Sequence, residues 1–334
     1  MKNLYKLMFT MSMITGTLIT ISSNSWISMW IGLEINLLSI IPLMSSTKNK
    51  METEAAMKYF ITQAMASAIL MLAIIIMLTD NNNLTTMKIP SMILDLSVLT
   101  KMGAAPLHFW FPEVMEGLSW INSMIMLTWQ KLAPMIVFMY TNTSTMFMMI
   151  IVLASVTISG IMGINQNSMR KILAYSSINH IGWMTSTMMT NQTLWIIYFI
   201  IYSLMTLNIT MMFKMNNISF TSQLINLMNN NKSMKALFST NFLSLGGMPP
   251  FIGFYPKWIT INSLIQEKMF LMTTMMIIMT LMTLAFYLRL TFSSSVMMTA
   301  ESTQNNNMKN HKIMMMNLTT LSMLISCPLM ISFI

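Results

Sequence analysis

K-M-G-A-A-P-L-H-F-W-F-P-E (101–113) begins with a lysine at the end of an apolar run, passes through a glycine and a proline, and returns to aromatic residues. That is the pattern of a helix interrupted inside a low-dielectric environment, with an ionisable group beside the interruption. Backbone groups released by such a break must be satisfied by protein or water, so broken helices in membranes line cavities. The pattern recurs downstream. Aligning Gly103-Ala-Ala-Pro106 with Gly247-Met-Pro-Pro250 brings Pro112 onto Pro256 and Trp110-Phe111 onto Phe254-Tyr255. A charge follows in each copy, Glu113 or Lys257. Coincidence in a chain rich in proline and aromatics is the plain alternative, but a repeated broken helix accounts for all of these matches at once.

Composition sets the class. Apolar residues make up 55% of the 334 and charged residues 8%. Apolar runs of about 20 residues recur from end to end, which marks an all-α polytopic membrane protein. The one cysteine, Cys327, excludes a disulfide framework and a thiolate-ligated cluster or zinc site. No Walker or G-x-G-x-x-G loop is present. The net charge of +9 is scattered among short links, where it sets membrane topology and does not form a nucleic-acid surface.

Eleven spans are predicted, at 4–22, 25–44, 56–79, 88–116 (interrupted near 103–106), 121–141, 145–164, 171–189, 194–213, 235–262 (interrupted near 246–250), 269–292 and 313–334. The first has the basic start of a signal peptide, Lys2 and Lys6, but no small-residue cleavage site follows, so it is expected to be retained. Asn/Ser-rich stretches at 214–234 and 293–312 read as solvated connectors. With the spans alternating, thirteen of the 18 basic residues fall on the side of the N-terminus. Lys88 and Lys268 fall opposite, and Lys101, Lys131 and Lys257 lie within spans. The positive-inside rule then makes the N-terminal side the cytoplasm-equivalent face, with the C-terminus opposite. The breaks lie in spans 4 and 9, an odd number of helices apart, so the two copies cross the membrane in opposite senses. The expected organisation is two inverted five-helix repeats, 1–141 and 145–292, each with a broken fourth helix. Residues 293–334 add a loop and a last helix. This is the plan of many transporters, whose interrupted helices mark the ion path.

Ionisable groups inside spans cost about 2.5–3.5 kcal/mol each on insertion scales, and they persist when paired, hydrated or useful. Glu34, midway in span 2, is expected to face Lys101 of the same repeat. Opposite charges at about 4 Å gain about 4 kcal/mol at an effective dielectric of about 20. Desolvation alone favours the neutral amine, so a lysine whose partner comes and goes acts as a proton switch; a static ion pair is the plainer alternative. Lys131, in T-W-Q-K-L-A-P, and Lys257, in G-F-Y-P-K-W, are candidate carriers, against simple snorkelling to an interface. His108 and His180 are candidate relays, against a packed, hydrogen-bonded role. Asp95, six residues before Lys101, falls on a different helix face and receives no role. Asn36, Ser176, Ser177 and Asn179 are polar enough to hold water.

The stretches W-I-G-L-E-I-N-L-L (30–38), T-E-A-A-M-K-Y-F-I-T-Q (53–63), G-A-A-P-L-H-F-W-F-P-E (103–113), L-T-W-Q-K-L-A-P (127–134), R-K-I-L-A-Y-S-S-I-N-H-I-G-W (170–183) and L-S-L-G-G-M-P-P-F-I-G-F-Y-P-K-W (243–258) resemble, in order, the antiporter-like membrane subunits of respiratory complex I. The resemblance covers nearly the whole chain. It implies the antiporter-like fold of two inverted repeats. Glu34 and Lys101 match that family's glutamate–lysine pair, Lys131 its central lysine, and Lys257 the lysine of its second broken helix. It also implies proton translocation coupled to redox chemistry elsewhere: NADH, FMN, iron–sulfur clusters and ubiquinone belong to other subunits, and no metal or cofactor to this chain. Implied partners are other complex I membrane subunits, including subunits 4 and 4L, accessory subunits and phospholipids, with no nucleic acid. Methionine at 48 residues beside two arginines resembles an animal mitochondrial gene product. So does the lack of three N-terminal helices found in longer relatives. The implied location is the mitochondrial inner membrane, with the N-terminus in the matrix and the C-terminus in the intermembrane space. A stand-alone cation/proton antiporter and a structural membrane scaffold are the competing readings. The topology has a direct check: protease or thiol reagent applied to the N-terminal face should reach residues 293–312, and access from the opposite face alone would reverse the orientation.

Overall fold

The computed structural model describes residues 2–46, 49–79, 88–141, 144–230 and 232–296. Among them are fourteen helical segments and one isolated antiparallel bridge, Ser168 to Phe220. Two compact units divide the chain, Met1–Ile151 and Val152–Ile334. The predicted eleventh span at 313–334 lies outside the described residues.

The first unit runs through α1 (Lys2–Ser22), α2 (Trp26–Met44), α3 (Lys50–Thr79), α4 (Lys88–Met102), α5 (Trp110–Gly117), α6 (Trp120–Leu127) and α7 (Trp129–Met139). The division between units falls within α8 (Thr145–Ile164). The second unit continues with α9 (Met169–Thr190), α10 (Gln192–Asn216), α11 (Thr221–Asn230), α12 (Lys232–Gly246), α13 (Phe254–Gln266) and α14 (Phe270–Val296). Six helices, α1, α2, α3, α8, α10 and α14, contain stretches long and apolar enough to cross a membrane.

Their outer faces explain why. On α3, Tyr59, Gln63, Ala66 and Leu70 are buried at helical spacing, while Met57, Ile61, Met65 and Leu72 are exposed. A helix solvated by water would show a polar outer face; here both faces are apolar, as hydrocarbon solvent demands. α1 and α2 approach backbone to backbone, since a Cβ on Gly32 would sit 2.8 Å from the Gly16 carbonyl. Serine and threonine hydroxyls are consumed locally: Thr17, Ser97, Ser123, Ser176 and Thr283 each donate to the carbonyl three residues back at 2.6–2.9 Å. That leaves few polar groups to satisfy across helices.

Both expected breaks are present, and they share their hydrogen bonds. α4 stops at a left-handed Gly103 (φ +74) and α12 at a left-handed Gly247 (φ +77). Gly103 N–H donates to Thr100 O and Ala104 N–H to Leu99 O, at 3.2 and 3.1 Å. At the same positions, Gly247 N–H donates to Ser244 O and Met248 N–H to Leu243 O, at 3.0 and 3.1 Å. This is the Schellman closure, in which a residue with positive φ returns two N–H groups to the orphaned carbonyls. Each helix restarts seven residues later, with Phe111 N–H on His108 O and Tyr255 N–H on Ile252 O. The Ala105–Pro106 and Pro249–Pro250 peptides are cis.

Two expectations need correction. The span at 121–141 is not continuous: α6 ends at Thr128 (φ −115, ψ −73), whose hydroxyl donates to Met124 O at 2.8 Å. Such back-bonding bends helices. The stretch at 214–234 is largely helical rather than a solvated connector. α10 ends in a left-handed Asn217 (φ 52), and α11 buries Leu224 and Met228, four residues apart. Its Asn-rich surroundings hid that apolar pair.

The left-handed glycines generate a stability test. Alanine at Gly103 would occupy a conformation costing about 1–2 kcal/mol, and its Cβ would meet Phe111 at 3.2 Å. Gly103→Ala should lower the thermal midpoint of the assembled protein, and an unchanged midpoint would show that the closure is dispensable.

Candidate functional site

In the first unit Lys101 and His108 are buried where α4 stops. Lys101, in the last turn of α4, is 7% exposed, and its Nζ makes no hydrogen bond. It lies within electrostatic reach of Glu34 on α2. The two do not form an ion pair within 4.0 Å, and Glu34 Oε2 is buried without a hydrogen bond. The pair is therefore open in this structure. Gln63 of α3 reaches the backbone of the break, its Nε2 donating to Lys101 O at 3.5 Å.

Lys131 is 1% exposed and sits in the first turn of α7, just past the break at Thr128. Its Nζ lies 5.6 Å from the centre of the Phe111 ring, which comes from the restarted helix α5. The two interruptions thus meet at this lysine. The neighbouring residue Gln130 donates from Nε2 to Asn36 Oδ1 at 2.9 Å and accepts from the Tyr59 hydroxyl at 3.4 Å. This buried chain ties α7, α2 and α3 together around the lysine. Asn36 was legible as polar; Gln130 and Tyr59 were missed, although Tyr59 and Gln63 lie four apart on one buried face.

His108 is buried in the first break, with Nδ1 3.2 Å from Pro106 O and its ring against Phe109. Glu113, which aligns with Lys257, lies on the surface. It pairs with Lys58 at 3.1 Å, and Lys58 also holds Glu54 at 3.1 Å, all three partly or largely exposed. The charges that sequence alignment equates therefore have different surroundings.

In the second unit Lys257 is 6% exposed. Its Nζ donates to Gly246 O, the end of α12, at 2.8 Å and lies 5.9 Å from the Trp183 ring. A cation at a helix C-terminus is favoured by the helix dipole. The stem crosses the glycine turn, where any Cβ on Gly247 would fall 2.8 Å from Lys257 Cδ. His180 is buried on α9, with Nδ1 2.9 Å from the Tyr198 hydroxyl and its ring 4.9 Å from that of Tyr202. Asn179 Nδ2 meets Thr283 Oγ1 at 3.3 Å. Tyr198 and Tyr202, also missed, occupy one face of α10 four residues apart. Among the described residues no group of three or more His, Cys, Asp or Glu converges on a common point.

The Gln130 bridge can be tested directly. Gln130→Leu keeps the bulk but leaves Asn36 Oδ1 without its donor, a loss of about 1–3 kcal/mol for a stranded buried polar group. The unfolding midpoint should fall accordingly, and the Gln130→Leu, Asn36→Leu double variant should recover part of the loss.

Residues 23–283 match the family described as NADH:quinone oxidoreductase/Mrp antiporter, transmembrane. The chain is 50% identical over 296 residues to NADH-ubiquinone oxidoreductase chain 2 of Anopheles gambiae, covering 88% of this chain and 86% of that protein. It is 44% identical over 317 residues to the protein of the same name from Locusta migratoria, covering 93% and 91%. Its fold is similar to a chain of respiratory complex I from Thermus thermophilus, with a TM-score of 0.83 at 20% identity over 97% of this chain and 77% of that one. A chain of the Mrp complex from Dietzia sp. gives a TM-score of 0.73 at 15% identity, covering 84% and 59%. With helices apolar enough to span a bilayer and a match over most of its length, this multi-pass membrane chain belongs to the NADH:quinone oxidoreductase/Mrp antiporter transmembrane family.

Proposed function

We propose that this chain moves protons across the mitochondrial inner membrane as a membrane subunit of NADH:ubiquinone oxidoreductase. The observation that carries the reading is Lys131, a lysine buried to 1% at the junction of two helix breaks. It lies in a chain 50% identical to a protein named as part of that enzyme. An ammonium in the first turn of α7 is opposed by the helix dipole and attracted by the Phe111 face. A near balance between the two protonation states is what a carrier requires. Glu34 and Lys101 form the switch: when the carboxylate closes on the amine the ammonium is stabilised, and when it withdraws the neutral form prevails. Lys257 is the carrier of the second unit, and His108 and His180 are relays. The finer architecture is eleven spans in two inverted five-helix repeats, with the N-terminus in the matrix and the C-terminus in the intermembrane space. NADH, FMN, iron–sulfur clusters and ubiquinone are held by other subunits. The chain's neighbours include subunits 4 and 4L, accessory subunits and phospholipid.

A stand-alone cation/proton antiporter is the second reading, favoured by the family's inclusion of Mrp antiporters and by the similarity to the Dietzia chain. Co-migration with an NADH-oxidising assembly supports the first reading; isolation without one supports the second. Within the assembly, Lys131→Met keeps the stem and removes the charge, so assembly should survive while protons moved per NADH fall. Lys131→Arg should impair transfer as well, because guanidinium does not release its proton near neutral pH. Glu34→Gln should reduce pumping with near-normal assembly if the pair switches. Lost assembly with normal pumping in the surviving fraction would make the pair structural. Normal pumping by an assembled Lys131→Met variant would leave a scaffold.

A further inference from the structure

Asp95 lies in the middle of α4 and is 1% exposed. Both of its carboxyl oxygens are buried, and neither takes a hydrogen bond. Among the described residues no cation pairs with it within 4.0 Å. The polar side chain that approaches it is Thr141, just past the end of α7. That hydroxyl lies 2.7 Å from Phe138 O, to which it can donate, and it can give its proton to a carboxylate or accept one from a carboxyl. A carboxylate in this position would have one shared hydroxyl and no cation to offset its burial, an expensive state. A protonated carboxyl would instead supply the hydrogen that the Thr141 oxygen can accept. If the side chain served packing alone, an asparagine would fill the same space and donate to Thr141 without a titratable group.

Its placement gives the group a use. Asp95 lies about 9 Å along the α4 axis from Lys101. α7 runs eight residues, about 12 Å, beyond Lys131 before it ends at Met139, and Thr141 follows two residues later. The carboxyl therefore stands at the end of the unit at which α7 stops, displaced along α4 from Lys101 and along α7 from Lys131.

We infer that Asp95 is a proton-binding carboxyl of the first unit, through which protons pass between the buried lysines and that end. The inference rests on the reading of Lys131 as a carrier. In one direction of the step, a lysine ammonium passes a proton through water to the Asp95 carboxylate, leaving a neutral amine and a neutral carboxyl. The carboxyl then gives that proton to water at the end of the unit and returns to carboxylate. One N–H bond breaks, one O–H bond forms and later breaks, and no electron changes hands.

The test uses the intact enzyme in sealed vesicles, with protons moved per NADH oxidised measured for Asp95→Asn, Asp95→Glu and Lys131→Met. Asparagine preserves shape and the contact with Thr141, so assembled amount and thermal midpoint should match the parent while the proton ratio falls at least twofold. Glutamate, which keeps the carboxyl, should restore most of the ratio. A parent-like ratio in an assembled Asp95→Asn enzyme overturns the inference. If Lys131→Met lowers the ratio in the same experiment, the fault lies with Asp95 alone; if it too is parent-like, the carrier reading falls with it. Should Asp95→Asn fail to assemble, dicyclohexylcarbodiimide applied to the parent enzyme decides. That reagent adds across a protonated carboxyl and not a carboxylate. An adduct mapped to Asp95 supports the inference, and an unmodified Asp95 peptide overturns it.

Discussion

A carbonyl that loses its helical partner inside hydrocarbon has no water to turn to, and every interruption in this chain answers that constraint first. At Gly103 and Gly247 the answer is a left-handed residue that folds two N–H groups back onto the helix it ends. Only a residue without a Cβ takes that conformation cheaply, which is why both closures fall on glycine. At Gly246 a further carbonyl is met by the ammonium of Lys257, eleven residues on. The break and the lysine are parts of one arrangement: the freed backbone group supplies a dipole, and the dipole holds a charge that hydrocarbon would otherwise reject.

The two units meet the demand of a buried lysine with different chemistry. In the first, a carboxylate on α2 acts on Lys101, and an amide and a phenol hold the residue beside Lys131. In the second, Glu267 is the sole carboxylate in the sequence from 152 to 296, and it is exposed at the end of α13. Lys257 has a carbonyl and an indole face instead. On the proposed reading, the first unit changes a lysine's charge by moving an acid. On the same reading, the amine of the second unit responds to the turn on which it rests.

Much of this was readable from residue types. Gly-x-x-Pro motifs beside lysines located both breaks, because glycine and proline act on the backbone directly and their effect does not depend on distant partners. The interruption at Thr128 was not readable, since a hydroxyl bending its own helix looks like any threonine in an apolar run. α11 was hidden by asparagines flanking Leu224 and Met228. The buried pairings were the least accessible. Hydropathy does not reveal which face of α3 carries Tyr59 inward when both faces are apolar. Nor does the shared position of Glu113 and Lys257 reveal that one meets Lys58 on the surface and the other a buried carbonyl.

α9 is enclosed along nearly its whole length, from Met169 to Thr187, and it carries Ser176, Ser177, Asn179, His180 and Thr185 inside that enclosure. It is not among the six helices apolar enough to cross a bilayer by composition. Such a segment has little reason to leave the translocation machinery for lipid by itself, because His180 and Asn179 find their partners, Tyr198 and Thr283, on α10 and α14. α14 begins about eighty residues after α9 ends. In order of synthesis, then, these buried polar groups of α9 precede the partners that satisfy them across helices, His180 preceding Tyr198 by 18 residues and Asn179 preceding Thr283 by 104.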